Sequence, residues 1–136
     1  MQLRPSAARI LVVEDEKPIA IGLTMLLEDW GYCVIGIAGS GEQALALATV
    51  QPPALTLMDV GLRGDMDGID TATALRGFSD TRLLFLTAQS DPTTAARLAA
   101  SQAGGVLLEP VEPERLRGAI AGLLPQLPAV AAHASA

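Results

Sequence analysis

The chain has 136 residues, half of them hydrophobic and only 3% aromatic, so it can form one compact domain with a mainly aliphatic core. Its formal net charge is −6 and it has no basic block, so the sequence offers no electrostatic case for nucleic-acid binding. No apolar segment resembles a signal peptide or approaches the roughly 18 residues that span a bilayer, which predicts a cytoplasmic protein with no membrane partner.

Five apolar runs alternate with five segments of helical periodicity. The strand candidates are residues 9–14, 32–38, 54–59, 82–88 and 105–109. Most of them are nearly continuous apolar runs, which is typical of parallel strands covered by helices on both faces. Five βα units in order predict an α/β fold, a doubly wound five-stranded parallel sheet with five helices on both faces.

The first two helices have recognisable ends. Lys17 and Pro18 begin the first helix, with proline at a tolerated position, and Gly31 ends it. Its apolar face consists of Ile19, Leu23, Leu26, Leu27 and Trp30. Ser40 and Gln43 have the spacing of a capping box at the start of the second helix. The strand between these helices starts near Cys33, which we expect to be a buried small hydrophobic residue. As the only cysteine, it cannot form an internal disulfide and indicates a reducing compartment.

The remaining helices are predicted from similar signals. The third follows Asp67, the alanine-rich fourth starts at Asp91 and ends near Gly104, and the fifth starts at Glu112. We expect half of the fourth helix surface to be explained by core packing, with a partner-binding face as the alternative for the rest.

The chain divides into three predicted segments. Residues 1–8 form an N-terminal lead, residues 9–124 form the domain, and residues 125–136 form a disordered tail of small residues without periodicity. The sequence therefore predicts a stand-alone domain without an effector domain.

Polar residues follow four of the five predicted strands. Glu14 and Asp15 follow the first, Asp59 ends the third, Thr87 lies near the end of the fourth, and Glu109 ends the fifth. Because the carboxyl ends of parallel strands meet at one edge of the sheet, we expect these side chains to converge. Clustered carboxylates repel one another and raise one another's pKa values, and a hard cation such as Mg²⁺ relieves that repulsion.

Four motifs at these strand ends, "ILVVEDE", "LTLMDV", "FLTAQ" and "AGGVLLEP", together resemble the receiver domain of two-component response regulators. The resemblance covers residues 9 to 124 and implies the flavodoxin-like receiver fold. It implies that Asp59 is a phospho-acceptor that takes a phosphoryl group from a sensor histidine kinase.

The resemblance also implies roles for neighbouring residues. It implies a Mg²⁺ site formed by Asp15, Asp59, the backbone carbonyl of Gly61 and, through water, Glu14. Thr87 would be the switch hydroxyl, and the small Ala88 would leave access to the site. The bond between Glu109 and Pro110 would be cis.

The chain departs from the family pattern at Glu109, since the family has a lysine before this proline. Three explanations are open. Glu109 turns outward, or a nearby cation such as Lys17 or Arg63 replaces the lysine, or the site has lost efficient phosphorylation. In addition, Val106 stands where an aromatic residue is common.

The loop after Asp59 also differs, with an extra residue and with Arg63 where proline is common. We expect its acids, Asp65 and Asp67, to be solvated loop residues, with a helix-capping role as the alternative for Asp67.

We therefore expect an atypical response regulator receiver that signals by protein contact and is not an enzyme. Its implied partners are a histidine kinase and, beyond it, a phosphotransfer protein, another regulator or a second copy of the chain. The alternative is a pseudo-receiver that binds proteins independently of phosphorylation. A small phosphatase is the third choice, disfavoured because the predicted fold contains no histidine that could act as a base.

Overall fold

The computed structural model describes residues 7–88, 91–101 and 104–124, which form a parallel five-stranded sheet and five helices. The strands are β1 (Arg9–Val13), β2 (Cys33–Ala38), β3 (Leu55–Asp59), β4 (Arg82–Thr87) and β5 (Gly105–Leu108). The helices are α1 (Lys17–Asp29), α2 (Gly41–Val50), α3 (Gly68–Arg76), α4 (Pro92–Ala100) and α5 (Pro113–Leu123). The strand order is β2-β1-β3-β4-β5, which confirms the predicted fold class.

Side chains of the central strands alternate between two apolar clusters. Leu11 of β1 and Phe85 of β4 pack on the face covered by α2, α3 and Leu98 of α4. Ile10 and Leu84 pack on the opposite face, against α1 and α5. Because β1, β3 and β4 are buried on both faces, their sequences are continuous apolar runs.

The outer strands are more exposed than their sequences suggest. The sequence predicted that β5 runs through the core, but β5 lies at the edge of the sheet. The side chains of Val106 and Leu108 are 43% and 61% exposed. The expectation that Cys33 is buried was wrong, because Cys33 lies at the exposed start of the other edge strand, β2. An edge strand has a neighbour on one side only, so apolar side chains there are covered only where a helix crosses them.

Two helices differ in detail from their predicted form. Ile19, placed on the apolar face of α1, is 40% exposed, while Leu27 is fully buried. Helix α4 ends at Ala100 rather than near Gly104, and Leu98 is the residue it buries in the core. Core packing therefore explains less of α4 than expected. No helix in the described part of the chain is long and apolar enough to cross a membrane.

Helix α2 begins at the predicted Ser40 cap, and α3 begins with a capping box of which the sequence suggested only Asp67, as the alternative to a solvated loop residue. The Gln43 N–H donates to Ser40 Oγ at 3.2 Å, and Gly31 ends α1 with a φ of 96°. The predicted tail, and residues 1–6 of the predicted lead, lie outside the described residues.

Asp67 caps α3 and connects it to α4. Its Oδ1 accepts a hydrogen bond from the Asp70 N–H at 2.9 Å, and the Asp70 side chain accepts one from the Asp67 N–H at 3.4 Å. Arg97 of α4 donates to both oxygens of Asp67, at 2.7 and 3.2 Å, and to Asp70 at 3.1 Å. The preferred prediction for Asp67, a solvated loop residue, was therefore wrong, and the capping alternative is confirmed.

Replacing Asp67 with alanine is expected to lower the free energy of unfolding by about 1–2 kcal/mol at neutral pH, since it removes a helix cap and a partly exposed ion pair. Partial burial acts to raise the pKa of Asp67, but the hydrogen bonds from Arg97 and the Asp70 N–H outweigh it and lower this pKa. A carboxylate with a lowered folded-state pKa stabilises the fold above its unfolded pKa of about 3.9. We therefore expect the difference between wild type and Asp67→Ala, measured by urea denaturation, to shrink as the pH falls below about 4.

Asp65 provides the matched control for this prediction. It is an exposed acid two residues away, and it has no hydrogen bond or ion pair within the described part of the chain. Asp65→Ala is expected to change the unfolding free energy by less than about 0.5 kcal/mol at any pH. An equal loss in both variants would contradict a specific capping role for Asp67.

Candidate functional site

The predicted site residues meet at the carboxyl edge of the sheet. Glu14 and Asp15 follow β1, Asp59 ends β3, Thr87 ends β4, and Glu109 follows β5. All of them line one open cleft of about 720 Å³. The parallel topology brings them together, as the sequence predicted.

Three carboxylates form the centre of the cleft. Glu14, Asp15 and Asp59 each offer one oxygen, and these oxygens all lie within 4.8 Å of one another. Backbone groups fix all three: the Gly61 N–H donates to Asp59 Oδ1 at 2.9 Å, the Glu16 N–H donates to Glu14 Oε2 at 3.1 Å, and the Arg63 N–H donates to Asp15 Oδ2 at 3.2 Å. The acids are therefore held in place despite their mutual repulsion.

Burial and the charges of neighbouring acids raise the pKa values of two of these three acids, Glu14 and Asp59. Burial raises the pKa of Glu14 to about 8, and the charges on Asp59 and Glu109 act in the same direction, against the hydrogen bond from the Glu16 N–H. Burial also raises the pKa of Asp59, with help from the charges on Asp15 and Glu16. The centre thus lacks positive charge for the number of acids it contains.

Glu109 lines the same cleft as this centre. It is half-buried, and burial together with the charges on Asp59 and Glu16 raises its pKa. Its backbone N–H donates to the Thr87 carbonyl at 2.8 Å. The bond to Pro110 is cis, as the resemblance implied. Glu109 is therefore within electrostatic reach of Asp59.

Among the described residues, Arg63 is the basic residue that contacts the acidic centre, through Asp15. Its Nε lies 3.0 Å and its backbone N 3.2 Å from Asp15 Oδ2. Partial burial acts to raise the pKa of Asp15, but these hydrogen bonds and the charge on Arg63 outweigh it and lower that pKa. Lys17, the other predicted candidate for a compensating cation, is exposed at the start of α1 and is not among the described residues that line the cleft.

The remaining predicted residues border the same cleft. Thr87 is buried at the end of β4, while Ala88 is exposed beside it. Gly61 is exposed two residues after the end of β3, and its N–H donates to Asp59 Oδ1. The ligand role of its carbonyl and the switch role of Thr87 stay predictions.

The donor set fits a magnesium ion. Mg²⁺ binds oxygen ligands at about 2.1 Å in octahedral geometry, so opposite ligands lie about 4.2 Å apart. The three carboxylate oxygens span at most 4.8 Å, which small side-chain movements can close. A divalent cation would also offset the repulsion that raises the pKa values of Glu14 and Asp59.

Comparison with known families agrees with this geometry. Residues 10–121 match the profile of the response regulator receiver domain family. The chain belongs to this family. Receiver domains of response regulators are modules of two-component signalling, generally not enzymes, and they bind Mg²⁺ at an acidic site such as the one formed here by Glu14, Asp15 and Asp59.

Two mycobacterial regulators are similar to this receiver. The transcriptional regulatory protein PdtaR of Mycobacterium tuberculosis (strain H37Rv) is 34% identical over 102 residues, which cover 75% of this chain and 49% of PdtaR. The DNA-binding response regulator MtrA of Mycobacterium leprae (strain TN) is 35% identical over 108 residues, which cover 79% of this chain and 47% of MtrA. The chain therefore spans about half the length of these relatives.

Solved structures share the fold along most of the chain. The signal receiver domain of a modulated diguanylate cyclase from Desulfovibrio desulfuricans G20 has a TM-score of 0.81 and 32% identity, covering 86% of this chain and 93% of that one. The chemotaxis protein CheY4 of Vibrio cholerae has a TM-score of 0.79 and 30% identity, covering 87% of this chain and 99% of that one. These similarities confirm the receiver fold.

Two contacts between residues that line the cleft escaped the sequence analysis. Asp15 and Arg63 are separated by 48 positions, and Arg97 and Asp67 by 30. The unusual Arg63 in the loop after Asp59 was a usable signal for the first contact. The second had no local signal, because an arginine on an alanine-rich helix is typical of an exposed helix face.

Proposed function

We propose that this receiver accepts a phosphoryl group on Asp59 from a sensor histidine kinase and signals through phosphorylation-dependent protein contacts. The observation that carries the proposal is the position of Asp59. Its carboxylate ends β3 inside the acidic cleft, oriented by the Gly61 N–H at 2.9 Å and surrounded by the acids that receivers use for Mg²⁺.

The reaction needs a carboxylate nucleophile. An Asp59 oxygen attacks the phosphorus atom of a phosphohistidine, the P–N bond breaks, and its electron pair stays on the imidazole nitrogen. The product on Asp59 is an acyl phosphate. The hydrogen bond from the Gly61 N–H keeps the carboxylate oriented toward the open cleft.

Asp15, Asp59 and the carbonyl of Gly61 would hold Mg²⁺, with Glu14 contributing through water. When bound, Mg²⁺ offsets negative charge on the transferring phosphoryl oxygens. Glu14 is 3% exposed, so it is suited to holding a buried water rather than to meeting a partner.

The output would start at Thr87, whose buried hydroxyl group borders the cleft next to the exposed Ala88. A phosphoryl group adds charge of about −1.5 to −2 and strong hydrogen-bond acceptors, which can attract a nearby hydroxyl and bias the surrounding loops. Further partners would be a phosphotransfer protein, another regulator or a second copy of the chain. That the receiver works without an effector domain on the same chain stays a prediction.

One observation favours a second candidate, a pseudo-receiver that binds partners independently of phosphorylation. Glu109 places a fourth acid within electrostatic reach of Asp59. A phosphoryl group would then meet repulsion where the family provides a lysine.

Incubation with Mg²⁺ and a small acyl phosphate is expected to add one phosphoryl group to the wild-type protein, measured by intact mass. Asp59→Asn is expected to abolish the adduct, because the amide is not a nucleophile of this kind. Asp65→Asn, which changes an exposed acid in the same loop, is the control and should leave the adduct unchanged.

Absence of a phosphoryl adduct on the wild-type protein would contradict the proposal that Asp59 is a phospho-acceptor. If that protein still bound a histidine kinase, the pseudo-receiver would be favoured. An adduct that survived in Asp59→Asn would place the phosphoryl group on another residue.

A further inference from the structure

The cleft is short of positive charge. Seven acidic side chains and two basic ones, Arg63 and Arg97, line it among the described residues. A phosphoryl group on Asp59 would add charge of about −1.5 to −2. Because Glu109 stands at the position of the family lysine, Arg63 and Arg97 are the basic side chains in the described lining of the cleft that could supply the missing cation beside Mg²⁺.

The two arginines are bound very differently. Arg97 donates three hydrogen bonds to Asp67 and Asp70, which tie α4 to the start of α3. Arg63 makes one side-chain hydrogen bond, from Nε to Asp15. Within the described part of the chain the Nη atoms of Arg63 have no partner, and its side chain is 80% exposed. Of the five N–H donors of its guanidinium, four are therefore available.

Arg63 is also close to the reacting carboxylate. It lies in the loop after β3, four residues beyond Asp59. Its Nε is 3.0 Å from Asp15 Oδ2. An oxygen of Asp15 in turn lies within 4.8 Å of an oxygen of Asp59. A movement of a few ångströms would bring the guanidinium to a phosphoryl group on Asp59, and the planar fork of arginine matches phosphate oxygens.

We propose that Arg63 is the phosphoryl-binding cation of this receiver, which holds Asp15 before phosphoryl transfer and binds the phosphoryl oxygens on Asp59 afterwards. This inference rests on the proposed function. It assigns the role to Arg63 rather than to Lys17.

The same contact has a consequence for metal binding. Both hydrogen bonds from Arg63 end on Asp15 Oδ2, one of the oxygens available to Mg²⁺. Arg63 therefore competes with Mg²⁺ for Asp15 in the unphosphorylated protein. Removing the side chain eliminates the Nε hydrogen bond and the charge but leaves the backbone one, so it should strengthen Mg²⁺ binding while it weakens retention of the phosphoryl group.

The experiment measures both quantities in wild type, Arg63→Ala and Arg63→Lys. The phosphorylated fraction is followed by intact mass with a small acyl phosphate at saturating Mg²⁺, and the Kd for Mg²⁺ alone by calorimetry. For Arg63→Ala we expect about a tenfold lower phosphorylated fraction, the effect of losing a charge-assisted hydrogen bond, together with tighter Mg²⁺ binding. Arg63→Lys should retain part of the fraction, since it keeps the charge but loses the fork.

Two further variants sharpen the result. Arg82→Ala removes the same charge from the exposed start of β4, at the opposite end of the sheet, and should leave both quantities unchanged. Adding Glu109→Lys to Arg63→Ala should restore the phosphorylated fraction, because it returns a cation to the site.

An unchanged phosphorylated fraction in Arg63→Ala would overturn the inference. A lower phosphorylated fraction together with weaker Mg²⁺ binding would also overturn it, because that result would indicate a damaged site. A loss in Lys17→Ala with none in Arg63→Ala would assign the role to Lys17. Absence of an adduct on the wild-type protein would overturn the proposed function and this inference with it, whereas a wild-type adduct that does not depend on Arg63 overturns this inference alone.

Discussion

Replacing Glu109 with lysine is expected to raise the phosphorylated fraction of this receiver by about tenfold or more. Two unit charges about 4 Å apart interact by about 4 kcal/mol at an effective dielectric near 20. The substitution exchanges repulsion for attraction at Asp59, whose charge already raises the pKa of Glu109. Glu109 is only half-buried, so solvent screening reduces this figure, but a third of it still corresponds to a factor of about ten.

Glu109→Gln separates the two parts of this effect, because glutamine keeps the size of the side chain and removes its charge. Relief of repulsion alone should place Glu109→Gln between wild type and Glu109→Lys. The measurement is the fraction of protein carrying a phosphoryl group, by intact mass, with Mg²⁺ and the acyl phosphate held constant. Equal fractions in all three proteins would mean that Glu109 has no electrostatic influence on Asp59 once Mg²⁺ is bound.

The comparison of wild type, Glu109→Gln and Glu109→Lys also tests the position at which this chain departs from the family pattern. The chain belongs to the receiver family, yet its relatives and structural neighbours are about 30–35% identical over the matched region. At this level the fold is shared, while about two thirds of the matched positions differ. Glu109 reverses the charge at a position where the pattern has a lysine, so its effect has to be measured on this chain.

The fold and the acidic centre could be predicted because their signals are local. A continuous apolar run identifies a strand buried on both faces, and the residue after it lies at the carboxyl edge of the sheet. This logic brought together Glu14, Asp15 and Asp59, which the structure places within 4.8 Å of one another. The predicted strands differ from the observed ones by one residue at an end.

The exposure of Cys33, Val106 and Leu108 could not be predicted in this way. It depends on which strands lie at the sheet edges, and strand order is a property of the whole fold. Apolar residues on an edge strand look the same in sequence as those on a central strand. The contact between Arg63 and Asp15 was missed for a related reason, because it depends on how two separate loops meet.

Close packing between α3 and β3 makes Gly68 the glycine whose substitution should cost most. A Cβ atom at Gly68 would collide with the carbonyl oxygen of Asp59 and would lie 2.8 Å from the Asp59 carbonyl carbon and 2.9 Å from Val60 Cα. All three are backbone atoms, so no side chain can rotate to make room. The Gly68 N–H also donates to the Val60 carbonyl at 3.1 Å, which holds the two segments together.

We therefore expect Gly68→Ala to lower the free energy of unfolding by about 2–3 kcal/mol, measured by urea denaturation, as is typical of overpacking against rigid neighbours. Gly118→Ala is the matched control, because its Cβ in α5 would meet nothing within 4 Å, and the higher helix propensity of alanine should stabilise the protein by about 0.5–1 kcal/mol. Because the collision falls on the backbone of Asp59, Gly68→Ala should also reduce the phosphorylated fraction, measured without urea, under conditions in which the variant is folded. A stable Gly68→Ala protein with a normal adduct would show that the chain after Asp59 can move without disturbing the site.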